Sequence, residues 1–202
     1  ANFLAYGNKL YVSRVIDSTA KNAVSNGSSA AVLVENEDKI ANVTLTTADH
    51  FVARYPGELG NSLQISVCKS TGDYSEANVI NVTVASGANS GTLSANASAL
   101  NIKVGDIAEF GNTTTGVQRL EVTAITDDAS SPSINFKTKY TGVRAITTLP
   151  IKKLWKYHDL VSAAPGTSSF VEGKGGAGDE IHIVVVDEDG DISGTKGQVL
   201  EV

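Results

Sequence analysis

Three short β-type segments lie close together in the middle of the chain, and they constrain its fold more than any other feature. Turns rich in Gly, Asn, Asp and Ser separate them. The segments are LNIKVGDIAEF (100–110), QRLEVTAIT (118–126) and SINFKTKY (133–140). Short strands at such spacing are typical of small antiparallel barrels and sandwiches. The sequence therefore predicts a small β module in this part of the chain.

The stretch ASGANSGTLSANAS (85–98) is almost purely small and polar, and such a change of composition marks a boundary between structural units. We therefore predict that residues 86–140 form an inserted small antiparallel β-barrel or sandwich. Residues 1–85 and 141–202 then form one discontinuous, β-rich core domain. With a few short helices, the predicted fold class is mainly β (α+β).

The predicted core domain contains several segments rich in Val, Ile and Leu, which favour strands. They lie at 10–16, 39–46, 63–67, 79–84 and 180–202. The last of these is the clearest hairpin, with Asp189-Gly190 as its turn. We expect the segments 8–15, 63–67 and 181–186 to pack into a single body.

Charge and hydropathy argue against two kinds of partner. The chain of 202 residues carries a net charge of −6, whereas nucleic-acid binding needs a surplus of Lys and Arg on one face. The densest basic stretch is short, with Lys152, Lys153 and Lys156. No apolar run approaches the length of about 18 residues that predicts a membrane span. Neither nucleic acid nor a membrane is therefore expected as a partner.

The residue types that often carry catalysis are present, but not in catalytic patterns. Cys68 is the single cysteine, and it follows a predicted strand without the context of a nucleophile. His50, His158 and His182 lie far apart and lack a metal-ligand spacing. We therefore predict no catalytic residues, no cofactor and no metal ligands, and the protein is not expected to be an enzyme.

Two loops in the last part of the chain resemble ligand-binding loops at first sight. The glycines of GKGGAGDE (173–180) precede a strand instead of opening a helix, so a flexible loop is favoured over a phosphate-binding loop. The acidic run DEDGD, from Asp187 to Asp191, lacks the ligand spacing of a calcium loop. A solvated hairpin turn is favoured there, and weak cation binding remains open.

The segment VARYPGELGNSLQISV contains two turn devices directly before a predicted strand. Pro56 fixes its own backbone angle, Gly57 accepts positive φ, and a Gly-Asn pair follows them. The segment is therefore predicted to be an irregular corner that restarts the core sheet. Arg54 and Glu58, which flank the Pro-Gly pair, are expected to form a local ion pair.

Three stretches of the chain follow a pattern of known proteins, in the same order. They are NFLAYGNKLYVSRVID (2–17), FVARYPGELGNSLQISVC (51–68) and DEIHIVVVDEDGDISGTKGQVLE (179–201). Together they resemble the contractile-tail sheath proteins of bacteriophages. The most specific element is Tyr-Pro-Gly-Glu-x-Gly-Asn before a strand. Residues 86–140 show no pattern of this family, as expected for a lineage-specific insertion.

The resemblance implies a structural subunit that polymerises as a helical sleeve around the inner tail tube and contracts to drive genome delivery. Its partners would be neighbouring sheath subunits and the tail tube in the full-length protein. The corner at Pro56 is expected to be architectural, with contact to a neighbouring subunit as the alternative. The resemblance implies no enzymatic activity and a place in the virion tail, after assembly in the host cytoplasm. It also implies that the chain is an internal fragment, which we expect to be monomeric by itself.

A carbohydrate- or surface-binding β module of a virion or extracellular protein is the alternative function. In that case residues 86–140 would be the recognition unit. Its aromatic candidates are Phe110, Phe136 and Tyr140, which are also the residues expected to form the core of the module.

Overall fold

The protein is mainly β with a few short helices, as the sequence predicts. The computed structural model describes residues 9, 11–25, 32–43, 51–95, 101–128, 130–142 and 144–202. The strands in these residues are β1 (Leu63–Cys68), β2 (Ser75–Val84), β3 (Ser90–Leu93), β4 (Ile107–Phe110), β5 (Gln118–Thr126), β6 (Ser133–Phe136), β7 (Ile146–Leu154), β8 (His182–Asp187) and β9 (Gln198–Glu201). The short helices are α1 (Thr71–Tyr74), α2 (Ser169–Glu172) and two 3-10 helices, Glu37–Asn42 and Glu58–Ser62. No helix in the described residues is long and apolar enough to cross a membrane.

Six strands close into an antiparallel barrel in the order β2-β3-β6-β5-β4-β7. Closure gives every strand two neighbours, so the barrel has no open edge. Alternate residues point inward and fill the interior with apolar side chains. The buried core comprises Ile80, Val82, Val84, Leu93, Ile102, Ala108, Phe110, Leu120, Val122, Ile134, Phe136, Tyr140, Ile146 and Ile151.

Aromatic rings occupy part of the barrel core. The ring of Phe110 lies 5.3 Å from that of Phe136 and 5.8 Å from that of Tyr140, measured between ring centroids. All three side chains are almost fully buried, and the Tyr140 hydroxyl donates a hydrogen bond to the carbonyl of Thr115 at 2.9 Å. These aromatic residues are therefore core residues, and none of them is available as a surface platform for a ligand.

The barrel extends beyond the module predicted for residues 86–140. Strands β2 and β7 lie outside that range, yet they pair with each other and close the barrel. The stretch 85–98, predicted to be a boundary, instead contains β3. Gly91 in this strand has a packing reason, because a Cβ there would lie 2.8 Å from methyl groups of Val82 and Val84. At this position the lack of a side chain allows two strands to approach closely.

A second, three-stranded sheet has the order β1-β8-β9. The predicted hairpin at 180–202 is confirmed, since β8 and β9 are antiparallel and Val186 faces Val199. The connection between the strands is longer than the predicted Asp189-Gly190 turn, because it runs from residue 188 to residue 197.

The chain divides into two compact units. The first comprises residues 1–65 and 185–201, and the second comprises residues 66–184 with Val202. The whole barrel belongs to the second unit. The division passes through β1 and β8, so the unit boundaries differ from the predicted ones at 85 and 141.

Two segments of the first unit differ from the strands predicted for them. Residues 11–16 have no strand assignment, and Tyr11 and Val15 are 89% and 94% exposed. A high β-propensity describes how well a residue fits a half-buried pleated surface, and that surface is absent around these two side chains. Residues 37–42 form a 3-10 helix, where local bonds such as Lys39 N–H to the Asn36 carbonyl replace strand pairing.

Candidate functional site

The acidic connection after β8 encloses a buried carboxylate. Asp187, the last residue of β8, is fully buried, and its two oxygens accept five hydrogen bonds. One oxygen accepts from the Ser62 hydroxyl at 2.5 Å and from the Gly190 N–H at 3.0 Å. The other accepts from the N–H groups of Ile192 (3.0 Å) and Ser193 (2.6 Å) and from the Ser193 hydroxyl (2.8 Å). The loop is therefore wrapped around this carboxylate.

The donors around Asp187 hold it in the ionised form. Burial alone would raise the pKa of the carboxyl group, because it disfavours charge. The hydrogen bonds from Ser62, Ser193 and Ile192 outweigh burial, and the pKa of Asp187 lies well below its ordinary value. Successive backbone N–H groups that converge on one anion form a nest, and here the anion is a side chain of the protein itself.

This geometry leaves no place for a cation at Asp187. Its oxygens face donors, whereas a calcium ion would need them free. Asp189 is exposed and lies 3.5 Å from Lys196, measured between the charged atoms. In the described part of the chain, no group of three His, Cys, Asp or Glu residues could hold a metal ion. The acidic run is thus a structural loop, but its first residue is buried, contrary to the predicted solvated turn.

Ser62 connects the Pro-Gly corner to this loop within the first unit. Its hydroxyl donates to Asp187 and accepts from the N–H groups of Asp189 (3.2 Å) and Asp191 (3.4 Å). Its carbonyl accepts from the Glu188 N–H at 2.7 Å. Since Ser62 ends the 3-10 helix Glu58–Ser62, the corner places this residue directly before β1. The sequence predicted the corner, but not the network that it serves.

Glycines let the corner fold closely against neighbouring chain. Gly57 has a φ of +126°, which favours glycine, and its N–H donates to the Lys21 carbonyl at 2.8 Å. A Cβ on Gly60 would lie 2.8 Å from the Cβ of Ala53 and 2.9 Å from that of Ala23. Gly57 is therefore required for its backbone conformation, and Gly60 is required for close packing.

The predicted ion pair between Arg54 and Glu58 is wrong. Arg54 binds Glu37 at 2.7 Å instead of Glu58. Both side chains are mostly exposed, so the pair contributes less than about 1 kcal/mol. The partner comes from a segment that is distant in sequence, and a local pairing rule does not reach it. The pair lines an open pocket of about 290 Å³ with mainly apolar walls, which contains no catalytic set.

The other candidate residues take structural positions, except His50, which lies outside the described residues. A ring nitrogen of His158 lies 2.9 Å from the Trp155 carbonyl, and one of His182 lies 2.9 Å from the Ala163 carbonyl. Cys68 is buried, and burial raises the pKa of its thiol. A raised pKa disfavours the thiolate that a nucleophilic cysteine needs.

The Gly-rich loop does not open a helix, and the lysines of the basic stretch lie next to acidic residues or are buried. The glycines from 173 to 178 follow the four-residue helix α2 and precede β8, so they do not open a helix that would bind phosphate. Lys156 binds Glu121 at 2.9 Å, Lys152 lies 4.0 Å from Glu109, and Lys153 is buried.

Comparison with known proteins gives a partial similarity. Over 72 residues, the chain is 36% identical to the tail sheath protein of Salmonella phage ViI. The matching part covers 36% of this chain and 11% of that protein, so the chain spans a small part of its relative. No family model matches the chain, and no solved structure matches it. The similarity is thus a weak and partial link to phage tail sheath proteins.

Proposed function

We propose that the chain is part of a structural subunit of a bacteriophage contractile tail sheath. In this proposal the full-length protein polymerises around the inner tail tube and contracts to drive genome delivery. The observation that carries the proposal is the 36% identity over 72 residues to the tail sheath protein of phage ViI. The three sequence stretches that resemble sheath proteins support it independently of the structure.

The construction of each unit suits such a role. A closed barrel exposes no strand edge, and therefore does not pair at random with other chains. The buried Asp187 has every oxygen occupied by donors. Contraction of a sheath would move such preformed units as rigid bodies between two arrangements. Partners in the full-length protein would be neighbouring subunits and the tail tube, in the virion tail after assembly in the host cytoplasm. The proposed role includes no enzymatic activity, and the present chain would be monomeric by itself.

The alternative, a carbohydrate- or surface-binding module, receives less support. Its aromatic candidates Phe110, Phe136 and Tyr140 are buried in the barrel. Stacking on a sugar requires an exposed aromatic face, which these residues do not offer. The partial relative is also named for a structural component of a tail.

Electron microscopy of the purified full-length protein tests the proposal. We expect sleeves with regular striations, because sheath subunits assemble by repeated contacts between copies. A glycan array with the same preparation provides the comparison for the alternative function. Discrete monomers at high concentration, together with specific glycan binding, would contradict the sheath proposal.

A further inference from the structure

A lysine and an aspartate are buried together at one end of the barrel. Lys153 on β7 is 1% exposed, and Asp106, directly before β4, is 7% exposed. The Lys153 Nζ lies 3.9 Å from Asp106 Oδ2. Strands β4 and β7 are neighbours, and Ala108 pairs with Lys153 in their register. The two side chains therefore meet across adjacent strands of the same unit.

The two groups are in contact but are not hydrogen-bonded to each other. Their separation exceeds hydrogen-bond length. Instead, Nζ donates to the Gly72 carbonyl at 3.1 Å, and Asp106 Oδ2 accepts from the Lys103 N–H at 2.8 Å. A buried ion pair repays its desolvation only when its geometry is excellent. This pair is therefore a poor salt bridge, although the amine and a carboxyl oxygen lie only 3.9 Å apart.

We propose that Lys153 and Asp106 condense into an intramolecular amide, an isopeptide bond that joins β7 to the turn before β4. A proton first passes from the ammonium to the carboxylate, which gives a neutral amine and a neutral acid. Nζ then attacks Cγ of Asp106, a C–N bond forms, the C–OH bond breaks, and one water leaves. The reaction needs no oxidant, metal or cofactor, and it removes two buried charges.

The surroundings of the pair favour this chemistry. Burial raises the pKa of Asp106, and the neighbouring Asp73 carboxylate acts in the same direction. The protonated carboxyl group is the form that an amine can attack. Asp73 directly follows Gly72, whose carbonyl accepts from Nζ. In the proposal, the Asp73 carboxylate relays the remaining amine proton to the leaving hydroxyl. Further titratable groups nearby are Lys103, 4.0 Å from Asp73, the buried thiol of Cys68, and Glu76, which shares the Asn101 amide with the Gly72 carbonyl.

The mass of the intact, denatured full-length protein tests the proposal. We expect it to be lower than the sequence mass by one water molecule. Trypsin should fail to cleave after Lys153, and tandem mass spectrometry should find a branched peptide that contains Lys153 and Asp106. The variant Lys153→Arg should have the full mass calculated from its own sequence. The matched control Lys152→Arg, at the neighbouring and partly exposed position, should keep the mass deficit.

Two further variants test the chemistry. Asp106→Asn should lose ammonia instead of water, because the amine then displaces an amide nitrogen. Asp73→Asn should lower the fraction of cross-linked protein without changing the site of the bond. A wild-type mass equal to the sequence mass would overturn the proposal, as would a deficit that survives Lys153→Arg. If Lys153→Arg fails to fold, the wild-type mass and the branched peptide still show whether the bond between Lys153 and Asp106 forms. The test does not depend on the proposed function in a tail sheath.

Discussion

Replacing Phe136 with alanine is expected to lower the free energy of unfolding of the barrel by about 3 to 5 kcal/mol. Phe136 is 2% exposed and packs on the Phe110 ring, so truncation leaves a cavity in the core. Urea unfolding measures the loss. Trp155, the single tryptophan, directly follows β7 and gives a fluorescence signal from the same unit.

The matched control for this experiment is Phe170→Ala. Phe170 lies in α2 and is 74% exposed, so its removal creates no cavity. We expect the free energy of unfolding of the Phe170→Ala variant to stay within about 0.5 kcal/mol of that of the wild type. Equal losses for the two variants would contradict the assignment of Phe136 to the barrel core.

Replacing Asp187 with asparagine should have the second largest effect, a decrease in Tm of roughly 5 to 10 °C at neutral pH. The two side chains have nearly the same shape, so packing is kept. An asparagine amide, however, directs N–H donors at a site that already contains the donors of Ser62, Ile192 and Ser193. Thermal unfolding followed by circular dichroism measures the change. The control Asp189→Asn alters an exposed carboxylate of the same loop and should change Tm little.

The effect of Asp187→Asn should depend on pH. The pKa of Asp187 is lowered by folding, so the folded protein binds a proton less readily than the unfolded chain. Its stabilisation is therefore fully present above the unfolded pKa of about 3.9 and is lost as the pH falls further. The difference in Tm between wild type and variant should narrow below about pH 4. A difference that stays constant from neutral to strongly acidic pH would contradict the role of the ionised carboxylate.

The Asp187 network shows why part of the site is invisible in the sequence. The run DEDGD indicates a polar loop, and the structure has one. Its main donor outside the loop, Ser62, is 125 residues away in the chain. Spacing rules describe neighbours along the chain, so they predicted a solvated turn. Only the fold shows that the carboxylate is buried and already bound.

The middle of the barrel was predictable from the sequence, but the pairing of β2 with β7 that closes it was not. The segments at 100–110, 118–126 and 133–140 contain β4, β5 and β6, so the strand pattern was sufficient there. Strand β7 was harder to recognise, because it contains Pro150, and proline argues against a central strand. Thr148 in the same strand has a φ of +51°, a further irregularity that sequence patterns do not reveal.

A high-resolution electron microscopy map of the assembled tail, in its extended and contracted states, tests directly whether the sheath subunit is built from rigid β units. We expect the sleeve to contain a closed six-stranded barrel in every subunit, with β2 still paired to β7 in both states. A sleeve without this barrel, or a barrel opened between β2 and β7 in one state, would contradict a sheath subunit built from rigid β units.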